Sequence, residues 1–343
     1  MKMFQKMRHV FQEANEEKTG CMVFLYHRIS DLANDPQLLC VHPKNFEEQI
    51  KYLKTFYDIV SLKHLCEFVA NGKNMERTVA ITFDDGYADN FLMGKEIIET
   101  YGLPVTIFIS SANINSDREF WWDELENIVL RTPALPKKIH LQIEADRNFT
   151  WDLGSASAWS MDEVNSYERW DVCTGTFPTS RHHLYVELNR ILRHLKPLER
   201  EEALLQLHEQ TGITLKGRST HRSLNHDEIR RLAASPQIEI GGHSLNHATL
   251  SQLSEIEQHH EIRENQSELE RILGKPVDSF SYPFGNRGDY NRATKKILKK
   301  AGFRLACANV PKRFDRSDDV REIPRFIVRN WNADEFAEWL HNL

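Results

Sequence analysis

Short β-rich runs without a polar face alternate with helical patterns along this chain, and this alternation constrains its fold most. Val79-Ala80-Ile81 is typical, because a strand that is apolar on both faces is buried on both sides of a parallel sheet. Between such runs, Pro43–Phe56 places Phe46, Ile50 and Leu53 at helical spacing. The predicted strands are Met22–His27, Tyr57–Leu62, Thr78–Asp85, Pro104–Ser110, Ile238–Ser244, Ser279–Gly285, Arg304–Val310 and Ile323–Val328. The pattern predicts an α/β fold, most simply a barrel.

The alternation stops between Ala112 and about Leu232, where the sequence is charged, rich in Trp and mostly helical, as in Glu187–Gly212. We predict a mainly helical insertion into the barrel here. For Trp121-Trp122 we favour buried packing over stacking on a sugar ring, and we predict His182-His183 at the surface. The predicted segments are an amphipathic N-terminal segment (1–20), the barrel (21–111 and 233–330), the insertion (112–232) and a C-terminal helix (331–343).

The first twenty residues lack the apolar run of a secretory signal, which predicts a cytoplasmic protein. Residues 1–14 nevertheless form an amphipathic pattern. Its apolar face consists of Met3, Phe4, Met7, Val10 and Phe11. Two interpretations stay open: a helix packed on its own domain, which we favour, and a helix that contacts a membrane surface, peripheral to the inner face of the membrane.

Composition excludes several classes of protein. The chain of 343 residues has 44 Lys+Arg and 50 Asp+Glu, a net charge of −6, so it has no global electrostatic basis for binding nucleic acid. No window approaches the ~20 apolar residues of a membrane span. The five cysteines include no CxxC pair, which argues against a disulfide framework or a cysteine-based zinc site and favours a reducing compartment.

The first motif with chemical content is Thr82-Phe83-Asp84-Asp85-Gly86, directly after a predicted strand. In parallel α/β folds, catalytic groups gather at the C-terminal ends of the strands. Two adjacent carboxylates placed there repel each other and lose hydration unless a cation compensates. A helix N-cap explains one aspartate but not two, so a functional role is favoured.

The second motif is Gly241-Gly242-His243-Ser244-Leu245-Asn246-His247, which closes the apolar strand Ile238–Ile240. Its two glycines allow a tight bend, and two histidines four residues apart can chelate one divalent ion. Ser244 excludes the HExxH motif, and for this motif alone a structural role is equally open. Together the two motifs offer two histidines and one carboxylate, the catalytic shell of zinc or a similar ion, with the second carboxylate as a general base.

Two further strand ends carry candidate residues. Pro283 and Gly285 make the end of Ser279–Gly285 a rigid turn that can aim a backbone N–H at an oxyanion, although an ordinary turn fits equally well. His27 ends the first strand, where an imidazole can act as a general acid. A hydrogen-bonded core histidine is the commoner case, so this position stays open from the residues alone.

In combination these motifs resemble the polysaccharide deacetylase family, also called carbohydrate esterase family 4 or the NodB-homology domain. Thr82–Gly86 is similar to its TFDDG motif, His243–His247 to its H[ST]xxH motif, and Tyr282–Gly285 to the latter half of its RxP[FY]G motif. The resemblance runs from about Cys21 to Val328 apart from the insertion. It implies a distorted (β/α) barrel of the NodB-homology type.

The resemblance also implies site roles. The implied ligands of a divalent metal, with zinc as the expected ion, are Asp85, His243 and His247. Asp84 is implied as the base, the Phe284 backbone N–H as an oxyanion donor, and Tyr282 as a neighbouring substrate residue.

Two departures from the family pattern matter. The Arg that orients the catalytic aspartate in the family is Ser281 here, so we expect Arg325 to take its place. The late LxH motif that supplies the general acid is also missing, since His341 stands in another context. A subgroup that deacetylates exopolysaccharides carries the acid on the first strand after a tyrosine, and Tyr26-His27 resembles that arrangement. The resemblance therefore favours His27 as the acid.

The function that the resemblance implies is metal-dependent N-deacetylation of an N-acetylated amino sugar in a glycan or glycan precursor. The expected partner is such a sugar or oligosaccharide, which includes a lipid-linked or nucleotide-linked intermediate. Two alternatives remain: hydrolysis of another amide or acetyl ester on the same fold, and a non-catalytic glycan-binding module. Adjacent carboxylates argue against the module, because a pure binder does not need them.

Overall fold

The structure, a computed structural model, describes residues 20–71, 77–144 and 146–343, and a parallel sheet is its central element. The strands of the described residues are β1 (Met22–Tyr26), β2 (Arg28–Ile29), β3 (Cys40–Val41), β4 (Asp58–Ile59), β5 (Thr78–Phe83), β6 (Val105–Ile109), β7 (Lys138–Ile143), β8 (Arg147–Asp152), β9 (Ile238–Gly242), β10 (Ser279–Ser281), β11 (Leu305–Cys307) and β12 (Phe326–Ile327). The sheet runs β11-β10-β9-β6-β5-β1-β12, with β4 beside the start of β5, and all its pairings are parallel.

Helices cover this sheet and build the insertion. The α-helices of the described residues are α1 (Pro43–Phe56), α2 (Leu62–Asn71), α3 (Lys95–Thr100), α4 (Trp121–Glu126), α5 (Met161–Ser166), α6 (Ser180–Arg193), α7 (Pro197–Thr211), α8 (His226–Ala233), α9 (Glu255–Leu273), α10 (Arg292–Lys300) and α11 (Ala333–Asn342). Single π or 3₁₀ turns occur at Asn90–Gly94, Asn127–Arg131, Gly154–Ser157, Val172–Thr174, Ser219–His221 and Leu250–Gln252. Among these helices, none combines the length and the apolar content that crossing a bilayer requires.

The predicted strands and the distorted (β/α) barrel are confirmed. Each of the eight predicted runs contains one strand of the sheet, and β1, β5 and β6 are buried along their whole length. Helix α1 has the predicted bounds. His42 caps it by accepting the Lys44 N–H, Pro43 supplies a fixed φ in the first turn, and Phe46 is fully buried.

One extended segment closes most of the gap between the two edges of the sheet. Ile323 pairs with Cys307 of β11, and a few residues later β12 pairs with β1 through Phe326 opposite Phe24. Arg325 lies in this segment between the two pairings. The closure therefore brings an arginine from the end of the chain to strands near its beginning.

The insertion has its own hydrophobic core, in which Trp121 and Trp122 are buried as predicted. It also contains an antiparallel hairpin, β7–β8, that the sequence pattern did not indicate. His182 is buried rather than on the surface, because the rings of Trp159, Tyr167 and Trp170 surround it.

The predicted segment boundaries agree only in part with how the segments pack. Helix α8 contributes Ile229 and Leu232 to the barrel core, so by packing it belongs to the barrel although all but its last residue lie within residues 112–232. Helix α11 occupies the predicted C-terminal segment and packs on the barrel through Phe336 and Leu340. The predicted amphipathic segment lies outside the described residues, apart from Gly20.

Candidate active site

The carboxyl ends of the parallel strands carry the polar side chains that the motifs predicted. Asp84 and Asp85 follow β5, His243 follows β9, and His27 follows β1. All four belong to adjacent or nearby strands of one sheet, so their side chains meet at one edge of the barrel.

Three of these side chains form a compact group of possible metal ligands. One ligand atom each from Asp85, His243 and His247 lies within 4.8 Å of the other two. The Asp85 Oδ1 atom is 3.3 Å from the Nε2 atom of either histidine. All three residues are buried, with at most 6% of their surface exposed. A carboxylate and two imidazoles at this spacing suit a divalent ion such as zinc.

Two hydrogen bonds fix the orientation of His243. Its Nδ1 atom lies 2.7 Å from the carbonyl oxygen of Ser281, and its backbone N–H donates to Asn265 Oδ1 at 3.1 Å. With Nδ1–H donated to a carbonyl, the Nε2 lone pair faces Asp85 and is free to bind an ion.

His247 sits between aromatic walls. Its ring lies 4.7 Å from Trp122, on the insertion, and 4.6 Å from Phe284, on the barrel. Burial lowers the pKa of His247 to about 4 despite the neighbouring Asp85 carboxylate. The imidazole is therefore neutral at physiological pH, which is the form that binds metals.

Asp84 is bound by Arg325 in a two-pronged contact. The Arg325 Nη1 and Nη2 atoms lie 2.8 and 2.7 Å from the two carboxylate oxygens of Asp84. The Ser281 hydroxyl donates to Asp84 Oδ2 at 3.0 Å. Arg325 is 1% exposed and also donates to Thr82 and to the Ala308 carbonyl, so the pair is rigidly held.

The two aspartates are both held in the ionised form. Burial alone would raise the pKa of Asp84, but the Arg325 guanidinium, together with His243 and His27, outweighs it and lowers the pKa below the ordinary range. For Asp85 burial acts in the same direction, and the contacts with His243 and His247 outweigh it. Both carboxylates are consequently charged at neutral pH.

These side chains open onto one cavity of about 270 Å³. Its lining residues are His27, Gln37, Leu39, Asp84, Asp85, Trp121, Trp122, Asn189, Arg193, His243, His247, Phe284, Asn286, Asn309, Ile327 and Arg329. The barrel supplies the charged floor, and the insertion supplies one wall through its tryptophans and helix α6. Residues that are far apart in sequence thus line one open cavity.

The sequence profile of the family described as "Polysaccharide deacetylase" matches residues 71–142 and 207–306, which together make up half of the chain. The chain belongs to the polysaccharide deacetylase family. The matched segments include both aspartates and both histidines of the candidate site. His27 and Arg325 lie outside the matched segments, so the family match does not bear on these two residues.

Known proteins agree with this assignment. The Bacillus subtilis (strain 168) protein YxkH, a polysaccharide deacetylase by name, is 29% identical over 115 residues, which span 33% of this chain and only 40% of that protein. The solved deacetylase PplD of Streptococcus pyogenes, in complex with acetate, aligns with a TM-score of 0.53 at 14% identity over 94% of this chain and 98% of that one. A de-N-acetylase from Aggregatibacter actinomycetemcomitans aligns with a TM-score of 0.52 at 14% identity, over 93% and 98%. At these identities the two structures show a shared fold.

The two remaining predicted residues, Phe284 and Tyr282, lie in different surroundings. Phe284 lines the cavity, and within the described residues its backbone N–H has no hydrogen-bond acceptor. Tyr282 does not line the cavity. It is 1% exposed, stacks on Tyr290 at 3.8 Å, and its hydroxyl donates to the Arg321 carbonyl at 2.7 Å. Its position is that of a core residue beneath the turn.

Several site residues have a strained backbone. Asp85, His247 and Phe284 have φ angles of 73°, 49° and 60°, in the left-handed region that residues other than glycine rarely adopt. Each such residue costs about 1–3 kcal/mol and persists only where its surroundings hold it. Their concentration around one cavity is typical of a functional site.

The glycines before His243 have a different role from the predicted bend. Gly241 and Gly242 lie in the regular strand β9. An added Cβ would come 2.4 Å from a Phe108 ring carbon at Gly241 and 2.6 Å from Asn265 Oδ1 at Gly242. Glycine is needed here for close packing, and the packing brings Asn265 to the His243 backbone.

Two supporting residues were missed in the sequence. Ser281 was considered only as the loss of the family Arg, yet its hydroxyl binds Asp84 and its carbonyl accepts from His243. Asn265 is fully buried and joins His243 to β6 through the Ile109 carbonyl. Its signal in the sequence is a polar residue within the apolar stripe of α9, between Ile262 and Leu269.

Proposed function

We propose that this protein is a metal-dependent carbohydrate N-deacetylase that removes the acetyl group from an N-acetylated amino sugar. One observation carries the proposal: the buried Asp85, His243 and His247 group lies beside an Asp84 carboxylate that Arg325 holds charged, and all of them face one cavity. The runner-up functions are hydrolysis of another amide or acetyl ester at the same site, and glycan binding without catalysis.

The donor set fits a divalent ion, and zinc is the proposed one. His243 and His247 offer imidazole nitrogens, while Asp85 offers a charged oxygen, the ligand types that zinc accepts in catalytic sites. When bound, such an ion would polarise the acetyl carbonyl and make water a stronger nucleophile near neutral pH. Asp85, His243 and His247 would hold it.

Asp84 is the proposed general base. Its carboxylate lies beside the metal-ligand group, with Oδ2 3.9 Å from His243 Nε2, and Arg325 keeps it ionised and oriented. As water attacks the acetyl carbon, Asp84 takes the water proton. Because Arg325 and Ser281 occupy fixed positions around it, Asp84 needs no rearrangement before accepting this proton.

His27 and Phe284 are proposed to act on the leaving group and the oxyanion. The His27 ring lines the cavity and has no hydrogen-bond partner in the described part of the chain, which supports an acid that contacts substrate. Burial lowers its pKa, so its protonated form is a stronger acid than ordinary imidazolium. The unpartnered N–H of Phe284 supports oxyanion binding. Cleavage of the C–N bond then yields acetate and the free amino sugar.

The substrate proposal draws on the relatives and the cavity together. One structural neighbour is a de-N-acetylase, and another was solved in complex with acetate. A glycan or glycan precursor is the proposed class, including lipid-linked or nucleotide-linked sugars. All five cysteines are free thiols, which supports a reducing, cytoplasmic setting. The proposed membrane contact rests on residues 1–14, outside the described part.

The test is a panel of N-acetylated hexosamine oligomers and matching O-acetylated sugars, incubated with zinc-loaded protein and scored for acetate and for free amine. The proposal predicts equal amounts of acetate and amine, with Asp84→Asn as the inactive control. Acetate from the esters alone would favour an esterase. Binding of the oligomers without any acetate would favour the glycan-binding module and contradict the proposal.

A further inference from the structure

Two arginines line the catalytic cavity, and their charges are compensated differently. Arg193 reaches it from the insertion helix α6, and Arg329 reaches it from the segment after β12. An arginine is always charged at physiological pH, so each must be neutralised by a protein carboxylate, by solvent or by a ligand. The partners of each guanidinium therefore bear on what the cavity binds.

Arg193 is neutralised within the protein. Its Nη2 atom donates to both carboxylate oxygens of Asp289, at 2.8 and 3.0 Å, and Asp289 is 5% exposed. Its guanidinium also lies 4.2 Å over the Phe284 ring. These contacts tie the insertion to the turn at Phe284 and leave no net charge at this wall.

Arg329 has no such carboxylate. Within the described ranges its guanidinium makes one hydrogen bond, from Nη1 to the backbone carbonyl of Leu38, and no ion pair. Burial lowers its pKa, and the groups that counter this effect, Cys173, Asp35 and Asp171, form no ion pair with it.

The other charges around the cavity are satisfied by their own partners. Asp84 is bound by Arg325, and Asp85 contacts His243 and His247. Neither carboxylate forms an ion pair with Arg329, so among the described residues Arg329 is a half-buried positive charge on the cavity wall without a carboxylate partner. A partly buried, uncompensated cation is costly unless a ligand brings the opposite charge.

The rest of the wall is uncharged and combines apolar and aromatic residues with polar ones. It presents four side-chain amides, which both donate and accept hydrogen bonds, as sugar hydroxyls require. These amides are Gln37, Asn189, Asn286 and Asn309. An amide-lined cavity with a tryptophan wall suits a sugar ring, and Arg329 adds one site for an anion beside it.

We propose that the substrate of this cavity carries an oxyanion, a phosphate or a carboxylate, next to its N-acetylated sugar, and that Arg329 binds this group. The inference rests on the proposed deacetylase function and narrows its substrate class. The planar guanidinium suits both anions because it can donate two parallel hydrogen bonds. Sugar 1-phosphates, nucleoside diphosphate sugars, polyprenyl diphosphate sugars and acidic hexosamines share this chemistry.

The test compares acetate release from an uncharged methyl glycoside of N-acetylglucosamine with release from four anionic compounds. These are the sugar 1-phosphate, a nucleoside diphosphate sugar, a short-chain polyprenyl diphosphate sugar in neutral detergent, and a carboxylate-bearing N-acetylhexosamine. The zinc-loaded wild type should prefer at least one anionic compound over the neutral glycoside by about 10- to 100-fold in kcat/KM, the range of a charge-assisted hydrogen bond. The preferred compound identifies the source of the anion.

Matched arginine variants assign the preference to one residue. Arg329→Gln should bring the ratio of anionic to neutral kcat/KM close to 1, and Arg329→Lys should restore part of it. Arg193→Gln, in the same cavity but neutralised by Asp289, should lower kcat/KM for both substrates and keep the ratio. A wild-type ratio near 1, or a ratio that Arg193→Gln removes and Arg329→Gln does not, would overturn the inference.

A binding measurement separates this inference from the proposed function. Calorimetry with the Asp84→Asn variant, which still has the whole cavity, should give tighter binding of the preferred anionic compound than of the neutral glycoside. If the wild type releases no acetate but this affinity ratio holds, the deacetylase proposal fails and the anion site stands. If acetate is released and both ligands bind equally, the anion site fails and the deacetylase stands.

Discussion

The barrel edge and the insertion each bury a carboxylate, and they hold these two groups in opposite charge states. At the barrel edge, Arg325 contacts both oxygens of Asp84 and lowers its pKa despite burial. In the insertion, burial raises the pKa of Asp123 to about 8. Its carboxyl group accepts a hydrogen bond from the Tyr87 hydroxyl at 2.6 Å, where Asp84 has a guanidinium. The same type of side chain is thus ionised at neutral pH in one region and protonated in the other.

The two regions also differ in the charge that they place around the cavity. The barrel edge concentrates fixed charges around the reacting group, while the insertion places a neutral, aromatic wall opposite them. Trp122 contacts His247 and donates through its Nε1–H to Tyr87, which in turn donates to Asp123. A charged Asp123 behind that wall would compete with the metal-ligand group for cations. We therefore expect chemistry to depend on the barrel edge and substrate choice on the insertion.

The largest effect that would sharpen this division is expected from His27→Ala at the barrel edge. An amine leaves poorly unless it is protonated, so loss of the proposed acid should reduce kcat for an N-acetyl sugar by about 10²–10⁴-fold. Bound metal, measured by elemental analysis, should not change. An acetyl ester, whose alkoxide leaves more easily, should suffer less. Equal losses for amide and ester would show that His27 is not the acid.

A smaller but still large effect is expected from Arg325→Met. Losing a charge-assisted contact worth about 1.5–3 kcal/mol should lower kcat by about 10- to 100-fold, because Asp84 is no longer oriented and held charged. Arg325→Lys should recover part of the activity, and metal content should stay intact in both. Wild-type turnover in Arg325→Met would contradict this account, since Asp84 would then act without the Arg325 guanidinium beside it.

On the insertion side, we expect Asn189→Ala to act mainly on substrate binding. Loss of one hydrogen bond to a sugar hydroxyl, worth about 0.5–1.5 kcal/mol, should raise KM by about 2- to 10-fold with a smaller change in kcat. The control is Asn165→Ala, an exposed asparagine of helix α5 away from the cavity. If Asn189→Ala instead lowers kcat more than it raises KM, the insertion takes part in the chemistry.

The smallest effect concerns stability and not turnover. The folded pKa of Asp123 is about 8, above its unfolded value of about 3.9, so the folded protein keeps a proton that the unfolded chain loses. Its contribution to stability is present below pH 4 and is lost as pH rises towards 8, by at most about 1.4 kcal/mol per pH unit. Asp123→Asn should flatten the decline of urea midpoints between pH 5 and 8. Parallel curves for both proteins would mean that Asp123 is already charged when folded.

The barrel and the central site residues were predictable because they depend on local sequence. A strand that is apolar on both faces, such as Val79-Ala80-Ile81, buries both faces most readily in a parallel sheet that is covered by helices. Asp84, Asp85 and His243 directly follow such strands, and His247 comes four residues after His243, so their meeting at one edge follows from topology. The family motifs then assign their roles without knowledge of side-chain positions.

The rest depended on contacts that sequence spacing does not encode. Arg325 is 241 residues from Asp84; the family comparison, and not the spacing, named it as a candidate, and the closing segment brings it there. Ser281 and Asn265 act through a carbonyl or an amide whose partner is set by packing. Tyr282 belongs to the motif by sequence but points into the core, because neighbouring turn residues cannot all face one cavity.

The most direct test of the central claim compares Asp84→Asn with Asp85→Asn, measuring bound zinc and acetate release for each. We expect Asp84→Asn to keep one zinc per chain and lose turnover, because it removes the base and leaves the ligands. We expect Asp85→Asn to lose both, as should His247→Ala. If the two aspartate variants retain zinc equally, or if Asp84→Asn turns over like the wild type, the division of the site into metal ligand and base is wrong.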